Sequence, residues 1–313
     1  MKIIITMLLL LFLLTGCTEG LSDNDTEPSS NSMATLTLAT MPALETFPIF
    51  IAADLGFFED EGLDVELEQF FSPRDRDIAF QTNEYIDGMT FDLVQLAIYR
   101  EAGIDLVATT STIGMASLIG AEDVHIIEDL LGRNVLMTSN TSMDYILDRA
   151  LSSANMAIDD IYTDEVPALP TRLEMLLHGQ AAGAILPDPF AAMALEEGLT
   201  ELITIRELGI NPFVIVFRME TTTDKLEELQ AFYRAINRAV EFLNNADRDE
   251  FIDTLIETVG YPPHIRDTLI IPVFPAYEAP LAGIVQDVLD FAYSRGLLTL
   301  DISVEDIIFD IGN

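Results

Sequence analysis

The chain has 313 residues, half of them hydrophobic, with 53 acidic residues against 15 basic and a formal net charge of −38 at pH 7. Phosphate contacts need clustered Lys and Arg, so this balance argues against nucleic-acid binding and against electrostatic attachment to an anionic membrane. One cysteine excludes an internal disulfide, and the length accommodates two lobes with their own cores. The acidity reads as a solvated surface; a sharper reading is adaptation to high salt or to an acidic exterior.

In chain order, Lys2 is followed by an apolar run, Ile3 to Leu14, with one Thr in it. It is too short for a comfortable membrane span and has the charge-then-apolar order of a signal segment. It ends in Leu14-Thr15-Gly16-Cys17, which resembles the bacterial lipobox, with Cys17 as the lipidated residue. Residues 1–16 are thus expected to be a lipoprotein signal peptide. Residues 17–34 are small and polar and read as the lipidated Cys plus a flexible tether.

From residue 35 short strands alternate with helices, the pattern of α/β units. Strands are expected at 35–40, 63–68, 86–91 and 106–112, with helices between them near 49–55, from Ser72-Pro73, and over 92–102. Ser72 fits a helix N-cap, Pro73 the first turn, and Asp75 the acid of a capping box. A second run follows: a short helix at 126–131, strands at 134–138, 161–166 and 182–186, and helices over 143–153 and from Thr171 to Gly179. Pro187-Asp188-Pro189-Phe190 turns into another helix, and Phe213 to Phe217 is an apolar strand. Residues 224–310 read as mainly helical, with a last cap at Ser303-Val304-Glu305-Asp306. The economical architecture is α/β: two lobes joined by two crossing strands, near Thr109 to Thr112 and Phe213 to Phe217. Lobe 1 comprises 35–112 plus 213–313, lobe 2 comprises 113–212, and the helical C-terminal tail returns to lobe 1. Two sheet edges facing each other make a cleft that closes on a ligand.

Three stretches carry a resemblance. Pro48 to Val65 contains Ile51-Ala52, Gly56-Phe57-Phe58 and Glu61-Gly62-Leu63-Asp64-Val65. Arg76 to Gln81 is followed by Ile86-Asp87-Gly88, and Arg172 to Gln180 leads to Leu186-Pro187-Asp188-Pro189-Phe190. Together they resemble the alkanesulfonate, taurine, nitrate and thiamine-precursor binding proteins of ABC importers. The resemblance implies a two-lobe periplasmic-binding-protein fold of type II. It also implies a small-molecule ligand, and a permease and an ATPase as partners; the lipobox-like segment implies an extracytoplasmic location, and a monomer needing no cofactor and no metal is expected. Sulfonate and thiamine-precursor binders often carry Trp or His in the first-strand loop; this chain has no Trp and Met41 to Phe47 has no His, so ligand identity does not transfer.

The candidate ligand-binding residues lie at strand ends. In lobe 1 they are Met41, Glu45, Thr46 and Phe47 after the first strand, Ser72 at a helix start, and Thr90 and Asp92 after the third strand. In lobe 2 they are Ser139, Asn140, Thr141 and Ser142, four small polar residues where a cap needs one, and Asp188. Arg74 and Arg76 read as surface pairs beside Asp75 and Asp77. The negative surroundings favour a neutral or cationic heterocycle, held by Met41, Phe47 and Phe71 and by Glu45, Asp92 or Asp188, over a sulfonate- or nitrate-type anion.

Enzyme readings find little support. His125, His178 and His264 are scattered, and there is no nucleophile elbow, P-loop or dinucleotide fingerprint. Thiamine-pyrimidine and menaquinone-pathway enzymes share the implied fold, but the first use a cysteine cluster and both are cytosolic. A ligand-sensing lipoprotein without a transporter is the alternative to transport.

Overall fold

The computed structural model describes residues 34–312. The signal-like segment, Cys17 and the tether as far as residue 33 lie outside the described residues. The chain runs β1 (Leu36–Thr40), α1 (Phe47–Asp54), α2 (Phe57–Asp60), β2 (Val65–Gln69), α3 (Pro73–Thr82), β3 (Gly88–Asp92), α4 (Leu93–Glu101) and β4 (Leu106–Ser111). It continues as β5 (Ala116–Gly120), β6 (Asn134–Met137), α5 (Ser142–Ser153), β7 (Tyr162–Glu165), α6 (Leu169–Leu177), β8 (Gly183–Pro187), α7 (Phe190–Glu196) and β9 (Thr200–Thr204). The last part is β10 (Phe213–Arg218), α8 (Met219–Asp224), α9 (Leu226–Asn245), α10 (Ile252–Val259), α11 (Ala282–Ser294) and α12 (Val304–Ile307).

Two five-stranded sheets result, ordered β2-β1-β3-β10-β4 and β7-β6-β8-β5-β9. Their pairing is alike. In the first, β1 runs parallel to β2 and β3, and β10 antiparallel to β3 and β4. In the second, β6 runs parallel to β7 and β8, and β5 antiparallel to β8 and β9. The antiparallel strand of each sheet is the one that has just arrived from the other. The chain leaves the first sheet through 112–115 and returns through 205–212, so both passages lie side by side as a double hinge. The second lies just before Phe213, because β10 is committed along its whole length to the first sheet.

The inner parallel strands β1, β3, β6 and β8 are largely buried, as expected where helices cover both sides, while the edge strands β2 and β7 are not. All five residues of β1 are buried, and Leu36, Leu38, Ile215 and Phe217 meet α1, α9 and α10 in one core. The long α9 presents Leu229, Phe232, Ile236, Val240 and Leu243 to that core. Gly88 answers a close approach: a Cβ there would lie 2.4 Å from the Phe217 ring and 2.5 Å from the Val216 carbonyl.

Several expectations need correction. α6 begins at Leu169, one turn before Thr171, with Pro170 in its first turn and Ala168 at its N-cap, so no Thr171 capping box forms. The tail is interrupted: 266–281 holds no helix or strand, because Pro272, Pro275 and Pro280 remove donors and fix φ within it. The tail also reaches beyond the first lobe. Against α5 of the second lobe, α11 sets Phe291 edge-on to Tyr145 at 5.5 Å, and Tyr145 donates to Asp287 at 2.6 Å. Arg295 meets Asp144 and Asp148 at 3.4 and 3.2 Å. Strands β5 and β9 have no counterpart among the elements expected from the sequence.

Candidate functional site

The carboxyl ends of β1 and β3 face those of β6 and β8. After β1 the chain turns through Met41 to Thr46. The Thr46 hydroxyl donates to the Met41 and Ala43 carbonyls at 2.8 Å each, tying the loop to itself. Thr46 is buried, and Phe47 is fully buried with its ring 6.4 Å from Phe251 in the lobe-1 core. Met41 and Glu45 stay half-buried on the cleft side. Tyr277 from the tail donates its hydroxyl to the Glu45 carbonyl at 3.0 Å, fixing the loop from behind.

Ser72 caps α3, accepting from the Asp75 amide at 3.4 Å. Arg74 is exposed, whereas Arg76 is not a surface residue: it is 7 % exposed. Its guanidinium donates to the Thr90 carbonyl at 2.7 Å and to Asp77 at 2.7 and 2.9 Å, and it lies 5.0 Å over the Phe91 ring. Thr90 is buried within β3. Asp92 caps α4 by accepting from the Gln95 amide at 2.9 Å. Burial raises the Asp92 carboxyl above the ordinary range, against the Gln95 amide and the neighbouring Ser142 hydroxyl, which favour its charged form.

The second lobe supplies the facing loop. Ser139 is exposed, and Glu165 accepts from its amide at 2.8 Å and its hydroxyl at 2.6 Å. Asn140 takes a left-handed φ of 58° and is exposed. Thr141 is the cap of α5, accepting from the Met143 amide at 3.1 Å. Ser142 is fully buried and its hydroxyl makes no directional hydrogen bond. The loop is braced by Arg172, also fully buried, which donates to the Val166 carbonyl at 2.8 and 2.9 Å, the Ile185 carbonyl at 2.6 Å and the Thr138 hydroxyl. Burial lowers its pKa to about 10.

Asp188 ends β8, and one of its oxygens accepts from the Ala192 amide at 3.3 Å. The other accepts from the Tyr261 hydroxyl at 2.9 Å. Tyr261 comes from the tail that covers the first sheet, so this bond crosses between the lobes. Burial raises both the Asp188 carboxyl and the Tyr261 phenol. Glu45 sits within electrostatic reach of both. Shielding by protein, with the Asp188 charge adding to it, raises Glu45 to about 7 against the opposing pull of its own backbone amide and of Arg76.

Beside these residues a cavity of about 420 Å³ is lined from one lobe by Asp77, Gln95, Ile98 and Tyr99 and from the other by Thr138 to Thr141, with Leu297 at its rim. A larger depression of about 600 Å³ opens at the opposite end of the first sheet, around Thr37, Glu66, Tyr85, Asp87 and Lys225. One lobe alone lines it, and its central charges pair with each other, Lys225 donating to both Asp87 oxygens at 2.8 Å. The interlobe cavity is therefore the better candidate. Among the described residues no group of three His, Cys, Asp or Glu side chains comes together to hold a metal.

A family model described as "NMT1/THI5 like" matches residues 44–248, about two-thirds of the chain and every strand but β1. The chain belongs to the NMT1/THI5-like family. Its fold is that of the periplasmic aliphatic sulphonate binding protein SsuA from Escherichia coli, at a TM-score of 0.75 and 17 % identity over 88 % of this chain and 92 % of that one. The periplasmic nitrate-binding protein NrtA from Synechocystis PCC 6803 is similar at 0.72, with 14 % identity and 88 % and 86 % covered. So is the desulfurization enzyme DSZB, at 0.65, with 11 % identity and 88 % and 96 % covered. No curated protein sequence matches the chain. At such identities the likeness carries the type II two-lobe fold and no ligand.

Sequence reasoning missed Arg76 as an interior residue and passed over Tyr261 and Gln95. Tyr261 did leave a signal: an aromatic between Gly260, with φ of 87°, and Pro262-Pro263 is held in a fixed turn. Arg76 left none, because Arg-Asp at a helix start looks the same on a surface.

Proposed function

We propose that this protein is the solute-binding subunit of an ABC importer, capturing a small molecule between its lobes and presenting it to a permease coupled to an ATPase. What supports this reading most is a cavity of about 420 Å³ walled by Asp77, Gln95 and Tyr99 of one lobe and by Thr138 to Thr141 of the other, beside two chain passages that run together between the sheets. A ligand touching both faces favours the closed form by its differential affinity for closed over open. Family membership and a fold common among periplasmic binding proteins support it. The order of Lys2, the apolar run and Leu14-Thr15-Gly16-Cys17 supports anchoring through lipid on Cys17, with the chain outside the cytoplasm.

The assignment is to a binder: Asp92 and Asp188 both accept from backbone amides at helix starts, and Glu165 holds the Ser139 loop through its amide as well as its hydroxyl. The test is a thermal-shift screen of the purified body against small organic anions, cations and heterocycles, followed by uptake of the stabilising compound in cells with and without the gene. Stabilisation by a compound at about 100 times its Kd amounts to roughly 2.7 kcal/mol. Loss of uptake on deletion supports import. Binding with unchanged uptake contradicts it and favours a sensor.

A further inference from the structure

The wall of the interlobe cavity is polar, yet its charges are already matched. Asp77 is the one acidic residue on it, and Arg76 donates to Asp77 twice, at 2.7 and 2.9 Å. No Lys or Arg lines the cavity. The main-chain amides that an anion would use at the start of α5 are taken from within the lobe. Glu165 accepts from the Ser139 amide, the Asp144 carboxylate from that of Asn140 at 3.4 Å, and the Thr141 hydroxyl from that of Met143. Asp144 itself faces Arg295 at 3.4 Å. The groups left over are neutral. Gln95 stands on the wall from lobe 1, and its side-chain carbonyl is buried with no donor. Asn140 stands on the wall from lobe 2, exposed, and its side-chain amide has no partner among the described residues. The Tyr99 hydroxyl accepts from Gln81 at 2.7 Å, and its own proton finds no acceptor among the described residues. Ile98 and Leu297 add apolar surface.

A buried acceptor without a donor costs stability, and an N–H brought by a ligand removes that cost. The last torsion of a glutamine side chain is soft, so the Gln95 amide turns toward such a donor without disturbing α4. A full charge entering the cavity would shed its water and meet no free opposite charge. Resting on the solute-binding reading, we propose that the interlobe cavity takes a small uncharged carboxamide or lactam. Its N–H donates to the Gln95 carbonyl of lobe 1, its carbonyl accepts from the Asn140 amide of lobe 2, and its apolar body lies against Ile98 and Leu297. An amide edge carries one donor and one acceptor side by side, which is what two side-chain amides complement. Because Gln95 and Asn140 belong to different lobes, the ligand favours the closed form.

The experiment is calorimetric titration of the purified protein at neutral pH with benzamide and nicotinamide, set against the same-shape anions benzoate and nicotinate and the same-shape cation benzamidine. At least one amide is expected to bind one to one, with a Kd about tenfold or more below those of its charged congeners. Gln95→Leu should raise that Kd about tenfold or more, while the melting temperature of the unliganded variant holds or rises, because it no longer buries an unpaired carbonyl. A glutamine with a purely structural role would not weaken binding. Asn140→Gly, which the φ of 58° suits, should raise the Kd about fivefold or more; if Gln95→Leu melts early, this variant decides alone. Tighter binding of benzoate, nicotinate or benzamidine, binding of neither amide, or amide affinity unmoved by Gln95→Leu or by Asn140→Gly overturns the assignment. A tighter charged congener overturns it while leaving the solute-binding reading intact; that reading fails separately, by unchanged uptake in the deletion strain.

Discussion

The Tyr261 hydroxyl donates to Asp188 at 2.9 Å, and the two residues belong to different lobes. It is a neutral donor on a shielded carboxylate, in the range of about 1.5–3 kcal/mol for hydrogen bonds to charged groups. Tyr261→Phe removes it and leaves the ring in place. The closed form should lose about 1 kcal/mol or more, so a cleft ligand should bind at least roughly fivefold more weakly, with the ring's packing and the melting temperature little changed. Unaltered affinity in calorimetry would show that the bond does not report closure.

Glu45 gives the folded protein a pH dependence. Its carboxyl is raised from 4.5 to about 7 by burial first and by Asp188 next. Between those values the folded chain holds a proton that the unfolded chain has released, so stability is full below about pH 4.5 and falls as pH rises through about 7. Asp92 and Asp188 shift in the same direction. Denaturation midpoints of the ligand-free protein should therefore drop from pH 5 to pH 8. Glu45→Gln should flatten that slope; an equal slope in the variant would place the proton elsewhere.

Arg172 braces the second lobe rather than any ligand. Its guanidinium is fully buried among the Val166 and Ile185 carbonyls and the Thr138 hydroxyl. Arg172→Met keeps bulk but leaves those acceptors bare, at about 1–3 kcal/mol each when nothing replaces the donor. A loss of about 3 kcal/mol or more in chemical denaturation is expected. A loss below about 1 kcal/mol would mean that water takes over the contacts.

The tail helix α11 ties the lobes together outside the cleft. Asp287 accepts from Tyr145 at 2.6 Å and forms an ion pair with Arg149 at 3.2 Å, both on α5, while Arg295 reaches Asp144 and Asp148. Asp287→Asn with Arg295→Ala should free the second lobe. Small-angle scattering of the ligand-free double variant should give a larger radius of gyration than the parent. Identical curves would show that the hinge segments alone set the opening.

Much of this architecture is visible in the sequence, and the reasons are local. Strands such as Leu36–Thr40 and Val65–Gln69 announce themselves by apolar periodicity between turn residues, and Ser72-Pro73 and Ser303 cap as their residue types demand. Ala116–Gly120 escapes because a short strand buried at every position has no alternation to read. The 266–281 segment misleads because its apolar residues have helical spacing while its prolines forbid the helix. The stretches that carry the family resemblance serve the frame: Asp87 accepts from the Thr37 amide and from Lys225, Gly88 admits Phe217, and Arg172 holds its loop. The cleft is harder to read. Thr46 and Phe47 share its loop yet face inward, while Tyr261 lies 73 residues beyond Asp188 in sequence, and only the fold brings the two together.

The central claim is that one small molecule is held by both lobes at once. The most direct measurement is calorimetric titration of a stabilising compound into the parent, into Met41→Ala on the first lobe, and into Asn140→Ala on the second. Neither side chain hydrogen-bonds to the backbone, but Asn140 sits at φ of 58°, where Ala is strained, and Met41 accepts from Arg76 at 3.8 Å, so the melting temperature of each unliganded variant is read alongside to separate lost binding from lost folding. The account predicts that each weakens binding about tenfold, corresponding to about 1.4 kcal/mol. Parent-like affinity in both variants would contradict it.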